Sequence, residues 1–337
     1  MIREAIAKLV SGAHLSADEA AAAMGEIMSG GATDAQIAAF AVALRMKGET
    51  VDEIAGCARV MREKATRVEA PFPVVIDTCG TGGDSSGTFN ISTAAALVAA
   101  GAGCRVAKHG NRSVSSASGS ADVLRELGVK VDASVPLVER SLREAGIGFL
   151  FAPSLHQAMK YAIGPRREMG VRTVFNILGP LTNPAGARHQ VLGVYEPALV
   201  EKLASVLASL GSIRCLVVHG DDGLDELTTT TTSRVCELAE GRLRSYAVSP
   251  EDLGLARAQP EDLRVASPAE SAAILLDVLA GGTGPHRDIV VLNAAAALVA
   301  GEKAKDLAQG IRLAAEAIDS GEASRTLERL IAVTNSP

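Results

Sequence analysis

Several short stretches of this chain carry residue types that could do chemistry together. The first, Asp77-Thr-Cys-Gly80-Thr81-Gly82-Gly83-Asp84, sets three glycines among hydroxyls and carboxylates. Such glycines let backbone approach a ligand closely and turn several N–H groups toward one point, which suits phosphate oxygens. No GKS or GKT follows, and GxGxxG fails at Ser85, so this is neither a P-loop nor a dinucleotide fingerprint. Thr88 and then Asn90-Ile-Ser92-Thr93 open the next helix, whose positive end adds to an anion site. The same residues also serve as ordinary helix caps.

A second stretch, Lys108-His109-Gly110-Asn111-Arg112, is followed by Ser113, Ser115, Ser116, Ser118 and Gly119-Ser120. Cations with small hydroxyls fit a ligand bearing several phosphates. A third, Asp221-Asp-Gly-Leu-Asp225-Glu226, places two hard oxygen donors side by side. Magnesium takes one or two protein carboxylates and completes its shell with water and phosphate. An isolated acidic loop is usually just solvated; beside two phosphate loops it reads as a cation site. No His-rich cage accompanies it, which argues against zinc. A fourth runs from His156 through Arg166, Arg167 and Arg172 to Asn176-Ile-Leu-Gly179-Pro180 and Asn183-Pro184. Its arginines could meet a carboxylate or simply be solvated. No histidine sits in a recognisable nucleophile motif.

The elements that must position these residues follow from periodicity. Residues 1–68 read as about four helices, with capping boxes at Ser16/Glu19, Thr33/Gln36 and Thr50/Glu53. After Pro71-Phe-Pro73, strands are expected at 74–78, 104–108, 147–151, 191–195 and 214–219. A hairpin follows at 234–248, turning at Glu240-Gly241, and a late strand near 288–292. Helices are expected at 89–101, 120–127, 135–145 and 198–210, and from Asn293 to the end as bland packing. The alternation implies an α/β domain with a mostly parallel sheet, whose strand C-termini gather ligands. Thr228–Thr232 is read as a strand-prone or loop segment with exposed hydroxyls.

Length and composition narrow the classes. A chain of 337 residues suggests two domains. A formal net charge of −6 with no basic run argues against nucleic acid, and no apolar stretch is long enough to span a membrane. Cys57, Cys79, Cys104, Cys215 and Cys236 are odd in number and scattered. They point to small buried hydrophobes in a reducing compartment, here the cytoplasm, and not to a disulfide framework. The N-terminus lacks the pattern of a signal peptide.

Taken together, the strings resemble the anthranilate phosphoribosyltransferase family. They are GTGGD at 80–84, NxST at 90–93, KHGNR at 108–112, SxxGSADVLRELG at 116–128, HxxM at 156–159, RTxFNxLGPLTNP at 172–184 and GLDEL at 223–227. The helical start, with AAAMGEIMSG and AFAVALRMKGET, fits as well, so the likeness runs nearly end to end. One departure is Thr228–Thr232, where many relatives show Gly-Pro before Thr; it leaves that loop's path open.

The resemblance implies an α/β fold plus a small all-α domain, of the nucleoside phosphorylase/phosphoribosyltransferase type. It implies a helical domain at 1–68 joined by helices around 155–185, a catalytic domain at 69–337, and hinges that close the site. It implies transfer of a phosphoribosyl group from phosphoribosyl pyrophosphate (PRPP) to anthranilate, in tryptophan biosynthesis. By position, PRPP would meet Gly80, Thr81, Gly82, Gly83, Asp84, Thr88, Asn90, Ser92, Thr93, Lys108 and Ser120. Anthranilate would meet Gly80, His109, Asn111, Arg166 and Gly179, with Arg166 facing its carboxylate. Ser92, Asp225 and Glu226 would hold Mg2+, two ions per subunit, and catalysis would be electrostatic, through Lys108, Asp225 and Glu226. A homodimer is implied, and docking by an anthranilate synthase subunit stays open. The alternatives are a pyrimidine nucleoside phosphorylase, whose loop usually reads KHSTGG, and a non-catalytic nucleic-acid-binding relative.

Overall fold

A computed structural model describes residues 1–84, 86–112 and 118–336; Ser113, Ser115 and Ser116 of the second loop lie outside them. The chain opens with four helices, α1 (Ile2–Val10), α2 (Ala17–Met28), α3 (Asp34–Lys47) and α4 (Val51–Lys64). All three expected capping boxes form. At the first, the Glu19 N–H donates to Ser16 Oγ (3.2 Å) and the Ser16 N–H to Glu19 Oε2 (2.8 Å). Each satisfies N–H groups that a helix start leaves orphaned, worth about 1 kcal/mol.

Strands and helices then alternate: β1 (Ile76–Thr78), α5 (Ile91–Gly101), β2 (Val106–Gly110), α6 (Ser120–Glu126), α7 (Val135–Glu144) and β3 (Ile147–Phe151). Short helices α8 (Ala152–Leu155), α9 (Lys160–Met169) and α10 (Val174–Leu178) follow. After them come β4 (His189–Gly193), α11 (Leu199–Ser209), β5 (Arg214–Gly220) and the hairpin β6 (Ser233–Ala239) and β7 (Arg242–Val248). The chain ends in α12 (Pro268–Leu279), α13 (Pro285–Ala300), α14 (Leu307–Asp319) and α15 (Glu322–Thr334). Helix α9 packs on α2 and α3, and α10 on α3 and α4, so the first bundle and these later helices share one apolar core.

The late strand expected near 288–292 is not there: those residues begin α13. Ile289-Val-Val291 is β-branched and fully apolar, as a buried strand would be, but Pro285 sits in the first turn and alanines continue the run. A helix buried on every side gives the same unbroken apolar signal as a central strand.

The seven strands form one sheet in the order β3-β2-β1-β4-β5-β6-β7. The strands β1 to β5 pair in parallel, and β6 and β7 add antiparallel. Successive strands run outward from β1 to β3 on one side and from β4 on the other. Between β1 and β4 the order therefore reverses, leaving a crevice at the strand C-termini. Helices α5, α13, α14 and α15 cover one face of the sheet, and α11 with the helical bundle the other. The core can thus be built from apolar residues on both faces of every parallel strand.

Candidate active site

The glycine loop leaves β1 at that reversal point. Gly82 and Gly83 take positive φ (66° and 78°), which only glycine adopts cheaply. The acidic stretch arrives from β5 and presses into the loop. The Gly82 N–H donates to Asp225 Oδ2 (2.7 Å). A Cβ at Gly80 would collide with that carboxylate, and one at Gly193 with the Asp225 backbone. Two glycines, one in the loop after β1 and one at the end of β4, therefore clear the space that Asp225 occupies.

Asp225 and Glu226 keep part of their surface open to the crevice, yet both resist ionisation. Enclosure raises Asp225 to about 7, and the Asp84 carboxylate adds to it. Enclosure also raises Glu226 well above the ordinary carboxyl range, and the Asp225 charge adds to it. Three carboxylates thus crowd one rim with too little positive charge around them. Such a donor set fits a hard divalent cation, which would reverse those shifts. The Ser92 hydroxyl faces the same small cavity, which is lined by Thr78, Cys79, Gly80, Ser92, Glu226 and Asn293.

Lys108 is 1% exposed and donates from Nζ to the Thr78 carbonyl (2.8 Å) and Ser92 Oγ (3.1 Å). Burial pulls its pKa down, opposed by Cys79, Asp77, Glu226 and Asp225. It is the cation that partly offsets the acidic rim. Asn90 caps α5: its Oδ1 accepts the Thr93 N–H (3.1 Å) and the Ser92 and Ser120 hydroxyls (both 3.4 Å). Its Nδ2 donates to the Ser118 carbonyl (2.8 Å). Thr81 is held by the Gly193 carbonyl (2.9 Å) and Thr88 by Ser86. Buried Thr93 Oγ1 has no partner.

Behind this rim lies a second group. His109 and His156 approach Nε2 to Nε2 at 3.2 Å. Burial lowers His109 to about 3, the facing His156 adding to the shift, and lowers His156 to about 4, so both are neutral at pH 7. His109 Nδ1 is buried with no hydrogen-bond partner; the nearby Gly179 backbone offsets the shift only in part. Asp77, Cys79 and His109 bring ligand atoms within 4.8 Å of one another. Asp77 is already committed, however, accepting from the His109 N–H (3.0 Å) and from Asn183 Nδ2 (2.7 Å). That makes the trio a strut between β1 and β2.

The structure therefore joins Gly80, Gly82, Asp84, Ser92, Lys108, Asp225 and Glu226 at one rim, and His109, His156 and Gly179 beside it. No hydrogen bond or ring contact among the described residues draws Asn111 or Arg166 to either group. Asn111 accepts the Arg112 N–H (2.7 Å), and Arg166 stacks on Phe175 (5.7 Å). Arg167 is exposed. Arg172 lies over Tyr195 (4.2 Å) and donates to the Gly83 carbonyl, linking the segment between α9 and α10 to the glycine loop.

Thr228–Thr232 departs from expectation: Thr228 and Thr229 are buried. The hydroxyls of Thr228 and Thr230 both donate to Asp222 Oδ2, because the loop folds back over that carboxylate. Sequence reasoning also passed over Asn293, filed there as bland packing. The available signal was a single amide in the otherwise apolar run Ile289–Ala300.

Residues 73–324 match the glycosyl transferase family a/b domain, and residues 3–65 its helical bundle domain. The chain is 58% identical over 336 residues to anthranilate phosphoribosyltransferase from Pelotomaculum thermopropionicum, covering 100% of this chain and 97% of that one. It superposes on the crystal structure of anthranilate phosphoribosyltransferase from Thermus thermophilus with a TM-score of 0.94. The sequence identity is 45%, over 98% of this chain and 99% of the other. Against the Saccharomyces cerevisiae enzyme in complex with PRPP and Mg the TM-score is 0.90 at 29% identity, over 100% and 98% of the two chains.

Proposed function

The chain belongs to the anthranilate phosphoribosyltransferase family, and from that premise we propose that it transfers the phosphoribosyl group of PRPP to anthranilate, releasing pyrophosphate in tryptophan biosynthesis. The observation that carries this reading is the convergence of glycine loop, α5 start, Lys108 and acidic pair on one rim of the crevice.

The reaction exchanges the bond from ribose C1 to pyrophosphate for one to the anthranilate nitrogen. Positive charge develops on the ribosyl ring and negative charge on the leaving group. The Gly83 N–H, the α5 N-terminus with Asn90, Ser92 and Thr93, and Lys108 offer donors for the phosphates, while Gly82, whose N–H is held by Asp225, allows close backbone approach. Gly80, Thr81, Asp84, Thr88 and Ser120 complete the contacts with PRPP. Ser92, Asp225 and Glu226 would hold magnesium, two ions per subunit, and the ion when bound supplies charge compensation to the departing pyrophosphate. An aniline-type amine is neutral at pH 7, so attack requires no strong base. Arg166 pairs with the anthranilate carboxylate, and Asn111, His109, Gly179 and Gly80 shape its seat. Neutral His109 and His156 suit a pocket for a flat aromatic acid, since they add polarity without charge.

The helical domain comprises residues 1–68 with the helices around 155–185, and a homodimer forms through it. Exposed Met46 (84%) on α3, Val10 (74%) on α1 and Ile163 (49%) on α9 support this, since α3 packs against both of the others. Light scattering of the purified protein should give twice 34.6 kDa. Free cysteines support a cytoplasmic location, and among the described residues no helix is long and apolar enough to cross a membrane. Docking of an anthranilate synthase subunit is tested by co-elution of the two.

The decisive assay mixes PRPP, Mg2+ and anthranilate and follows loss of anthranilate fluorescence. Consumption that requires all three supports the reading; none, with phosphorolysis of thymidine or uridine instead, replaces it with a nucleoside phosphorylase. Arg166→Ala should raise the KM for anthranilate more than that for PRPP; the reverse pattern moves Arg166 to another role.

A further inference from the structure

Asn293 is 3% exposed, on a helix otherwise apolar through its buried length. Its Oδ1 accepts the Leu227 N–H (3.0 Å), and its Nδ2 donates to the Leu227 carbonyl (2.8 Å) and to Ile289 of its own helix (2.9 Å). One donor and two acceptors around the amide leave a single orientation that satisfies all of them. Leu227 follows Glu226 directly, and its side chain is fully buried. Both polar groups of the peptide backbone at the end of the acidic pair are therefore held by one side chain.

The loop has other anchors, but they are of a different kind. Asp222 Oδ1 accepts the Leu224 N–H (3.1 Å) and the Gly220 N–H donates to the Leu224 carbonyl (2.8 Å). Both contacts lie before the acidic pair, and Asp222 is exposed to competing water; after the pair, the Thr228 N–H donates to Ser233 Oγ (2.9 Å), which ties the loop to β6 and not to α13. Asn293 reaches in from α13, which packs along α5, the helix that carries Ser92. It thus references the carboxylates to the element bearing the other candidate cation ligand. Without it, two buried backbone groups lose their partners and the loop must shift to satisfy them.

We propose that Asn293 is a positioning residue for the cation site: its clamp on Leu227 holds Asp225 and Glu226 against the glycine loop, and so sets divalent-cation affinity. This rests on the function proposed above for that site. The test compares Asn293→Ala and Asn293→Gln with wild type; glutamine keeps the amide but carries it one methylene further out, guarding against plain collapse. Mn2+ binding to each protein, followed by loss of the free-ion paramagnetic resonance signal, reads the site without turnover. The rise in melting temperature on adding Mg2+ and PRPP without anthranilate gives a second readout. Loss of a group that orients metal ligands typically weakens the metal about 10- to 100-fold. That shift is expected in both variants, with a raised KM for PRPP at limiting Mg2+, an unchanged KM for anthranilate, and partial recovery of rate in excess Mg2+. A lowered melting temperature with wild-type Mn2+ affinity would show a merely structural role and overturn the proposal. Should the alanine variant not fold, the glutamine variant decides by the same criteria. If wild type consumes no anthranilate, the functional reading falls, while the Mn2+ comparison still judges Asn293 separately.

Discussion

Two carboxylate sites in this chain are drawn away from bulk water and end in opposite electrostatic states. In the helical bundle, burial pushes the Glu53 carboxyl up, but the Leu15 and Thr50 N–H groups and the Lys47 ammonium outweigh it and hold it below its ordinary range. In the crevice, Asp225 and Glu226 are also pushed up by enclosure, but much of what surrounds them is further carboxylate, and they stay raised. The difference lies in whether the protein supplies its own donors. Glu53 is answered within the fold and works for stability. The acidic rim has no such answer within the fold; on the function proposed above a cation would complete it, as expected where function is favoured over stability.

The largest effect that would break this contrast is catalytic. Glu226→Gln removes a charge that burial penalises and keeps the shape. Turnover should fall roughly 10^2- to 10^3-fold, the scale of losing one electrostatic contact to a developing charge. Melting in the absence of Mg2+ should not fall, since burial and the Asp225 charge already disfavour the Glu226 carboxylate. A variant that loses stability along with activity would put Glu226 in the same class as Glu53.

Next in size, Glu53→Ala takes the carboxylate from a Lys47 ammonium that is 5% exposed, leaving it His14 Nδ1 and the Gly48 carbonyl, and frees the Leu15 and Thr50 amides. Breaking one side of a buried pair costs about 3 kcal/mol. Urea titration should show that loss, with the rate per folded molecule unchanged. A change within experimental scatter would mean that the pair only offsets its own desolvation.

The histidine pair extends the comparison to pH. His109 and His156 are lowered to about 3 and about 4 from a reference of 6.5. The unfolded chain therefore binds more protons than the native state below about pH 6.5, where its own histidines titrate. The contribution of the neutral pair is fully present above that pH and is lost as pH falls through 6 toward 4. Urea midpoints measured across this range should drop in wild type and drop less in His156→Gln. Equal slopes would remove the pair as their source.

The smallest effect is linkage to the metal. Mg2+ at about ten times its dissociation constant should stabilise the folded protein by about 1.4 kcal/mol. Calorimetry should show this in wild type and not in Glu226→Gln. Equal stabilisation of both would place the cation elsewhere.

Much of this was legible before folding. The capping boxes at Ser16, Thr33 and Thr50 depend on residues three apart, so local spacing was enough to find them. The glycine loop, Lys108 and the acidic pair stood out because each lies in or after a strand of a chain that alternates strand and helix. The 288–292 segment misled because β-branched residues in an unbroken apolar run are equally at home in a strand or a fully buried helix. Lys108 was legible as positive charge for phosphates, but not that its Nζ would lie buried between Thr78 and Ser92. Asn293 was invisible as chemistry because its partner is 66 residues away in sequence.

The order of residues thus determined which groups the chain carries and which turn, cap or strand end each would sit on. These are properties of neighbours a few positions apart. Tertiary structure alone decided that Asp225 would enter the space left by Gly80 and Gly193, that His156 would face His109, and that Asn293 would hold Leu227. Each of those depends on strand order and helix packing, and on the exclusion of water that follows. Burial and the field of neighbouring charges, which set these protonation states, exist only once distant segments share one crevice.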